Sequence, residues 1–502
     1  MALNGFTRNF RPLEVLTEEQ IEDVHRGTLE VLWTTGFRME HERALKLMEQ
    51  NDCKVDYDEM RVRIPPALVE ECLRKTPSIF PVRARDSNKD VTIGGNVLCF
   101  TSAPGMQTVN LDTWEPQEPT RKEEYDAIAV LDALPTCHLH APYSPYFGFQ
   151  GVPPAMVLPE TLAARLRNST KPSLIGHSHD SEIFAMQMAQ AAGTEVMCGC
   201  YLAPPLTGYR DAFESVFRCA EAGLSIKILS GEVMGGTAPT TIAGGLVSNL
   251  VEVIAALVLT QLVRPGTRVI VKDFSFAMNM ETGSPLFGSI ESALHNVAFA
   301  QYFRKWGVPV DGCTAYPNAK KPDYQGGYEK AIRALVAGLS GVSTLLLHGS
   351  VHGELTHHPV QSVLDNDVAG MVGRFMEGIS VNDETLAVRL IQEVGPIPGH
   401  YLSKAHTRKW WKLEEFIPKA ADRLTYPAWI QIGKKSSFEL ARERTEEILA
   451  THKPTPLSSS QEEELERILE EARKYYKRKG LISQEEMARY RDSMKSANYP
   501  YE

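Results

Sequence analysis

Residues Ser343 to Leu355, S-T-L-L-L-H-G-S-V-H-G-E-L, bring three titratable side chains, His348, His352 and Glu354, to the end of a short apolar run. A run such as Thr344 to Leu347 reads as a strand buried on both faces, so the polar groups that follow sit at its C-terminal end. Gly349 and Gly353 give the backbone freedom to leave the strand there. Open α/β sheets and (β/α)8 barrels bind their ligands at that end. His348 and His352 can donate to a carboxylate or ligate a metal, but an isolated pair lacks the further ligands of a closed zinc site.

Other apolar runs end in similar groups: Tyr143, Tyr146, Phe147 and Phe149; His177 and His179; Tyr201; Glu232; Phe274 and Phe276; Tyr316 with Lys320 and Lys321. The set is rich in aromatics and has few carboxylates. A quaternary ammonium group has no N–H to donate, so π faces and a nearby negative charge are what stabilise it, and the set favours an organic cation. Any one of these rings taken alone reads as core. Cys198-Gly199-Cys200 puts two thiols on one strand face, where Cys313 or His348 would complete a zinc centre and buried structural cysteines are the default. The turn Gly231 to Pro239 contains glycines but neither the lysine of a P-loop nor a full dinucleotide pattern.

These groups must be positioned by a regular alternation. Strands are expected at 97–102, 138–143, 172–176, 196–202, 224–230, 268–274, 309–314 and 343–348. Helices are expected between and after them at 121–134, 158–168, 181–192, 210–222, 242–262, 290–306, 325–339 and 360–377. Alternating strands and helices imply parallel pairing, and eight repeats within 96–380 fit a (β/α)8 barrel, with a doubly wound open sheet as the competitor. Residues 1–95 read as a collar of helices and short strands, with a capping box at Thr17 to Gln20. Residues 381–502 read as an extension for domain packing or oligomerisation. They include a charged helix at 461–479, capped by Ser460 to Glu463 and stopped by Gly480.

A net charge of −10 excludes a broadly basic nucleic-acid surface. The N-terminus M-A-L-N-G-F-T-R-N-F-R lacks a continuous apolar core of signal-peptide length. The longest apolar run, 250–263, is broken by Glu252, Thr260 and Gln261 and reads as a buried helix rather than a membrane span. With eight scattered cysteines, these features lead us to expect a cytoplasmic protein with reduced thiols.

Three ordered segments carry a resemblance: G-G-T-A-P-T-T-I-A-G-G-L (235–246), D-Y-Q-G-G-Y-E-K (323–330) and G-P-I-P-G-H-Y-L-S-K-A-H-T-R (395–408), followed by Asp422-Arg423. They resemble the trimethylamine methyltransferase family of corrinoid-dependent enzymes, and the likeness extends to about residue 450. The resemblance implies a (β/α)8 barrel whose active face docks a separate corrinoid protein. The founding members carry pyrrolysine; this chain has none, and the corresponding stretch, 312–321, holds ordinary residues.

A quaternary amine is already cationic, so reduced cobalt can take its methyl group and a neutral tertiary amine leaves without a general acid. Members lacking pyrrolysine include glycine betaine methyltransferases, which this sequence resembles most. The resemblance therefore implies transfer from glycine betaine to the Co(I) corrinoid of a partner protein, giving dimethylglycine. It assigns no catalytic side chain and no metal to this chain. Tyr143, Phe147, Phe274 and Tyr316 would form the ammonium cage, Glu232 would add negative charge, and His348 with His352 would hold the carboxylate. A homo-oligomer that touches neither nucleic acid nor membrane is expected. The alternatives are a bulkier betaine (proline betaine or carnitine), a zinc-dependent methyltransferase or hydrolase, and a noncatalytic betaine-binding protein.

Overall fold

The computed structural model describes residues 4–495 and 499–500. Eight short parallel strands carry the site: β1 (Val97–Ser102), β2 (Cys137–Leu139), β3 (Ser173–Ile175), β4 (Val196–Leu202), β5 (Ile226–Ser230), β6 (Val269–Asp273), β7 (Val310–Asp311) and β8 (Thr344–His348). Nearly every residue in them is buried, as the unbroken apolar runs require of strands covered on both faces. The ladder runs β2-β1-β8-β7-β6-β5-β4-β3, so the sheet curls until its first and last strands face each other. At that seam a single residue, His140, bridges to Ser173 in place of a ladder. Its N–H donates to Pro172 O and its carbonyl accepts from Leu174 N, both at 2.9 Å.

The crossover helices are α1 (Arg121–Ala133), α2 (Val157–Asn168), α3 (Ser181–Ala192), α4 (Arg210–Glu221), α5 (Ile242–Val263), α6 (Ile290–Trp306), α7 (Tyr324–Ser340) and α8 (Pro359–Glu377). Thr120 opens α1 with a reciprocal capping box to Glu123, so the S/T-x-x-E pattern marked the boundary correctly. Helix α5 is long and apolar enough to cross a membrane by composition, and 72% of its most apolar window is buried inside the protein. It exceeds the run read from sequence because Gly244, Gly245, Ser248 and Asn249 extend the same helix. The helices Glu18–Thr34 and Pro66–Lys75 of the N-terminal region pack on it.

Alternate strand residues separate two environments. Leu98, Phe100, Cys198, Cys200, Ile226, Ile228, Leu345 and Leu347 join the large core under the helices. Val97, Cys99, Leu139, Leu174, Met197 and Ile270 face inward and meet Phe80, Val82, Val91 and Ile93 of the hairpin Ile79–Val82/Val91–Gly94, which closes the N-terminal end of the sheet. Above that layer lie Lys227, Lys272 and Asp311, all buried, with Asp311 ion-paired to both lysines. Burial pulls Lys227 down to about 8.

Several expectations are corrected. Strand β2 ends at Leu139, because the chain turns at Tyr143, whose φ is 61°. Strand β7 is two residues long, and the chain after it stays beside β8 only through Gly312 N to Thr344 O (2.8 Å) and Ala315 N to Leu346 O (2.9 Å). Cys198 is disulfide-bonded to Cys219 of α4 and not a free thiol. The charged tail helix spans Ser459–Arg478 and is capped by Ser458, whose partner at the third helical position is Gln461. That helix packs on α3, and its Glu466 pairs with the buried Arg167 at 2.6 Å.

Candidate active site

The C-terminal ends of β1, β2, β3 and β8 open into a cleft of about 470 Å³, lined by Pro104, Met106, Tyr143, Phe147, His177 and Glu354 among others. Tyr143 and Phe147 meet edge to face with ring centres 4.7 Å apart, and Tyr201 lies 6.1 Å from Tyr143. The left-handed turn at Tyr143 directs its ring over Gly176, and any β-carbon at Gly176 would collide with the tyrosine hydroxyl. The close approach therefore depends on glycine at the end of β3.

Glu354 is the carboxylate of this cleft. Burial alone raises its pKa above the ordinary glutamate range, and among the described residues no cation pairs with it. An uncompensated carboxylate beside aromatic faces is costly to an empty protein and becomes favourable once an organic cation occupies the space. His177 accepts a hydrogen bond from Tyr201 N on Nε2 (3.1 Å), which leaves the proton of the neutral ring on Nδ1. Burial holds its pKa down at about 4.

A second aromatic group stands beside the cleft. Tyr316 is packed among Phe274 (6.2 Å), Phe287 (5.8 Å) and Phe276 (6.4 Å), with its hydroxyl buried and unpartnered. Glu354, on the lining of the cleft, also acts electrostatically on Tyr316, so the second group lies within range of its charge. His352 is half-buried against Phe287 at 6.1 Å; burial, then the Lys320 charge, hold its pKa below the usual histidine value.

The predicted residues thus divide. Tyr143 and Phe147 share the cleft, and Phe274, Tyr316 and His352 form the neighbouring group. Glu232 is separate and fully buried: burial, with the Glu252 and Asp273 charges adding to it, raises it to about 8 against the pull of His295. His295 lies 3.6 Å from Glu232 and 3.2 Å from Asp273, so this carboxyl group already faces a protein cation. His348 also stands apart. The register of β8 shifts between Leu346 and His348, and the imidazole lies on the helix side, 6.4 Å from Phe100. Thr136 donates its hydroxyl to Asn366 at 2.9 Å, so it accepts from His348 Nε2, also at 2.9 Å. Burial keeps His348 neutral.

Glu354 was visible in the opening stretch but was not assigned a role. The signal that would have found it is its spacing beyond the strand together with the absence of any lysine or arginine between Ser343 and Leu355. Cys198 is bonded to Cys219 and Cys200 lies in the helix-side core, and among the described residues neither joins a group of three His, Cys, Asp or Glu side chains placed to hold one ion.

The family model described as trimethylamine methyltransferase (MTTB) matches residues 1–475. The chain belongs to the trimethylamine methyltransferase family. Within the family, the glycine betaine methyltransferase of Desulfitobacterium hafniense (strain Y51) is 30% identical over 459 residues, covering 88% of this chain and 94% of that protein. The trimethylamine methyltransferase of Desulfitobacterium hafniense (strain DSM 10664 / DCB-2) is 28% identical over 472 residues, covering 92% and 94%. In fold, the chain is similar to the crystal structure of the Methanosarcina barkeri monomethylamine methyltransferase, with a TM-score of 0.51 and 11% identity over 94% of this chain and 90% of that one. The shared architecture is a mixed α/β fold built on a curled parallel sheet.

Proposed function

We propose that this methyltransferase takes a methyl group from a quaternary amine, glycine betaine first among them, and passes it to a corrinoid carried by a partner protein. The observation that carries the reading is Glu354, a carboxylate without a cationic partner among the described residues, lining the cleft beside Tyr143 and Phe147 and acting electrostatically on Tyr316. Tyr143, Phe147, Phe274 and Tyr316 would surround the ammonium group, and Glu354 takes over the role first given to Glu232. His352, beside Lys320, would receive the carboxylate. His348 supports β8 from behind.

A permanent cation needs no proton on nitrogen before the amine leaves. The work of the protein is then orientation: fixing one N-methyl toward the cleft opening and excluding competing poses. The reduced corrinoid, a co-substrate on another chain, supplies the nucleophile. Support for such docking is the apolar rim of the active face, where Tyr324 is 87% exposed and Met280 73%. Ordinary residues at Gly312–Lys321 support a quaternary rather than tertiary amine. We further propose that the seam at His140 closes the sheet as a (β/α)8 barrel, flanked by units divided near residues 95 and 380.

A cleft of about 470 Å³ also has room for a larger substrate, which favours proline betaine or carnitine as the second reading. Turnover of glycine betaine, proline betaine and carnitine, followed as the demethylated amine by mass spectrometry with reduced corrinoid protein, separates them. Turnover of at least one is expected; none with any quaternary amine refutes the proposal.

A further inference from the structure

Tyr201 ends the inward-facing row of β4. Cys198 and Cys200 join the core under the helices, so alternation turns Gly199 and Tyr201 toward the interior of the curled sheet. Gly199 leaves that interior unfilled, and the Tyr201 ring folds back over it: a β-carbon at Gly199 would stand 2.3 Å from the tyrosine Cζ and from its hydroxyl oxygen. The hydroxyl is therefore directed down into the sheet, where it is buried and unpartnered. His177 fixes the ring, accepting from Tyr201 N at 3.1 Å and stacking on the phenol with centres 5.1 Å apart. The imidazole covers one face, yet Tyr201 as a whole is only half-buried.

The neighbouring strands extend this surface. Ile175 pairs with Cys198, which sets Gly176 beside Gly199, and the Tyr143 hydroxyl lies over Gly176 as that of Tyr201 lies over Gly199. The two rings thus stand side by side, with centres 6.1 Å apart. On the other flank Tyr201 pairs in register with Leu229 of β5, and just past β6 comes Phe274, 6.2 Å from Tyr316. Tyr143, Tyr201, Leu229 and Phe274 are all half-buried at the C-terminal end of the sheet, so together they form a floor that runs from the cleft to the second aromatic group. That floor presents aromatic rings and one alkyl group. Both tyrosine hydroxyls are turned below it, so it offers a cation π faces and N-methyl groups close contact, but gives an N–H no acceptor.

We propose that Tyr201 is the base of the ammonium site, the ring on which the N-methyl groups that are not transferred come to rest. The inference rests on the quaternary-amine reading and adds to it a specificity residue. With Tyr201 and Leu229 beneath the nitrogen, the methyl group opposite the floor points out of the sheet, toward the side from which a methyl acceptor arrives. The ring also fills the space above Gly199, so Tyr201 sets how deep a head group can sink. Its contact is with the charge of that head group and not only with its shape, which separates a binding role from plain core packing.

Dissociation constants from ligand-observed NMR titration of the full chain test this with two probes of one shape: glycine betaine, and 3,3-dimethylbutyrate, in which carbon replaces the cationic nitrogen. Tyr201→Leu keeps an apolar side chain and removes the π face. It is expected to weaken glycine betaine on the order of tenfold and the neutral isostere hardly at all, while Tyr201→Phe, which loses only an unpartnered hydroxyl, binds both as the wild type does. Should Tyr201→Leu fail to fold, magnetisation transfer from the N-methyl protons of bound glycine betaine to protonated tyrosine rings in otherwise deuterated protein serves instead; one transfer signal is expected to vanish in Tyr201→Phe. Equal loss of both probes in Tyr201→Leu, loss of neither, or transfer signals that Tyr201→Phe leaves unchanged overturns the assignment of Tyr201 alone. A wild type that binds neither glycine betaine nor any other quaternary amine overturns the underlying reading, and this inference with it.

Discussion

Glu354 decides the electrostatics of the cleft. Replacing it by glutamine keeps the shape and removes the charge, so Glu354→Gln should raise KM for the quaternary amine on the order of tenfold to a hundredfold, with the smaller effect on kcat. Initial rates over a substrate series measure both. The pH dependence has a definite sign. Only the ionised carboxylate attracts the cation, and burial raises the pKa of Glu354, so KM should fall as pH rises through that raised pKa. Cation binding should release a proton in the same range, which titration calorimetry in buffers of different ionisation enthalpy detects, and Glu354→Gln should abolish both effects.

Two glycines carry the elements that shape the site. Gly176→Ala places a methyl group against the Tyr143 hydroxyl, so the ring must move; the expected result is a raised KM with a modest change in Tm. Gly349 has φ of 98°, and an added β-carbon would collide with the His357 ring; Gly349→Ala should cost about 2–4 kcal/mol, read from denaturant melts. Gly349 also shows where the sequence was legible and where it was not. The apolar run gave β8 its place, and the position of His348 at the C-terminal end of that run sent it toward the cleft. A register shift at Leu346/His348 reversed that direction, and nothing in residue type announces such a shift. Tyr143 and Phe147 were named because aromatics beyond a strand end were sought, and both line the cleft, while the lack of an ion pair at Glu354 among the described residues depends on distant neighbours. Glu232 is the converse: its spacing suited a ligand role, but it is fully buried with His295, contributed by α6, 3.6 Å away.

At the scale of the molecule, alternation of strands and helices made the curled parallel sheet legible, and its interior records what such a sheet tolerates. Two lysines and one aspartate share the centre, and Asp311→Asn would leave both lysines without their counter-ion, costing about 3–5 kcal/mol and lowering Tm. The disulfide Cys198–Cys219 was not legible, because it depends on where α4 lies over β4. The central claim is that the substrate nitrogen is permanently cationic. Its most direct test is the visible spectrum of a reduced corrinoid protein mixed with this enzyme and either glycine betaine or trimethylamine. Conversion from the reduced to the methylated spectrum with betaine alone is the result expected; conversion with trimethylamine and not with betaine contradicts it.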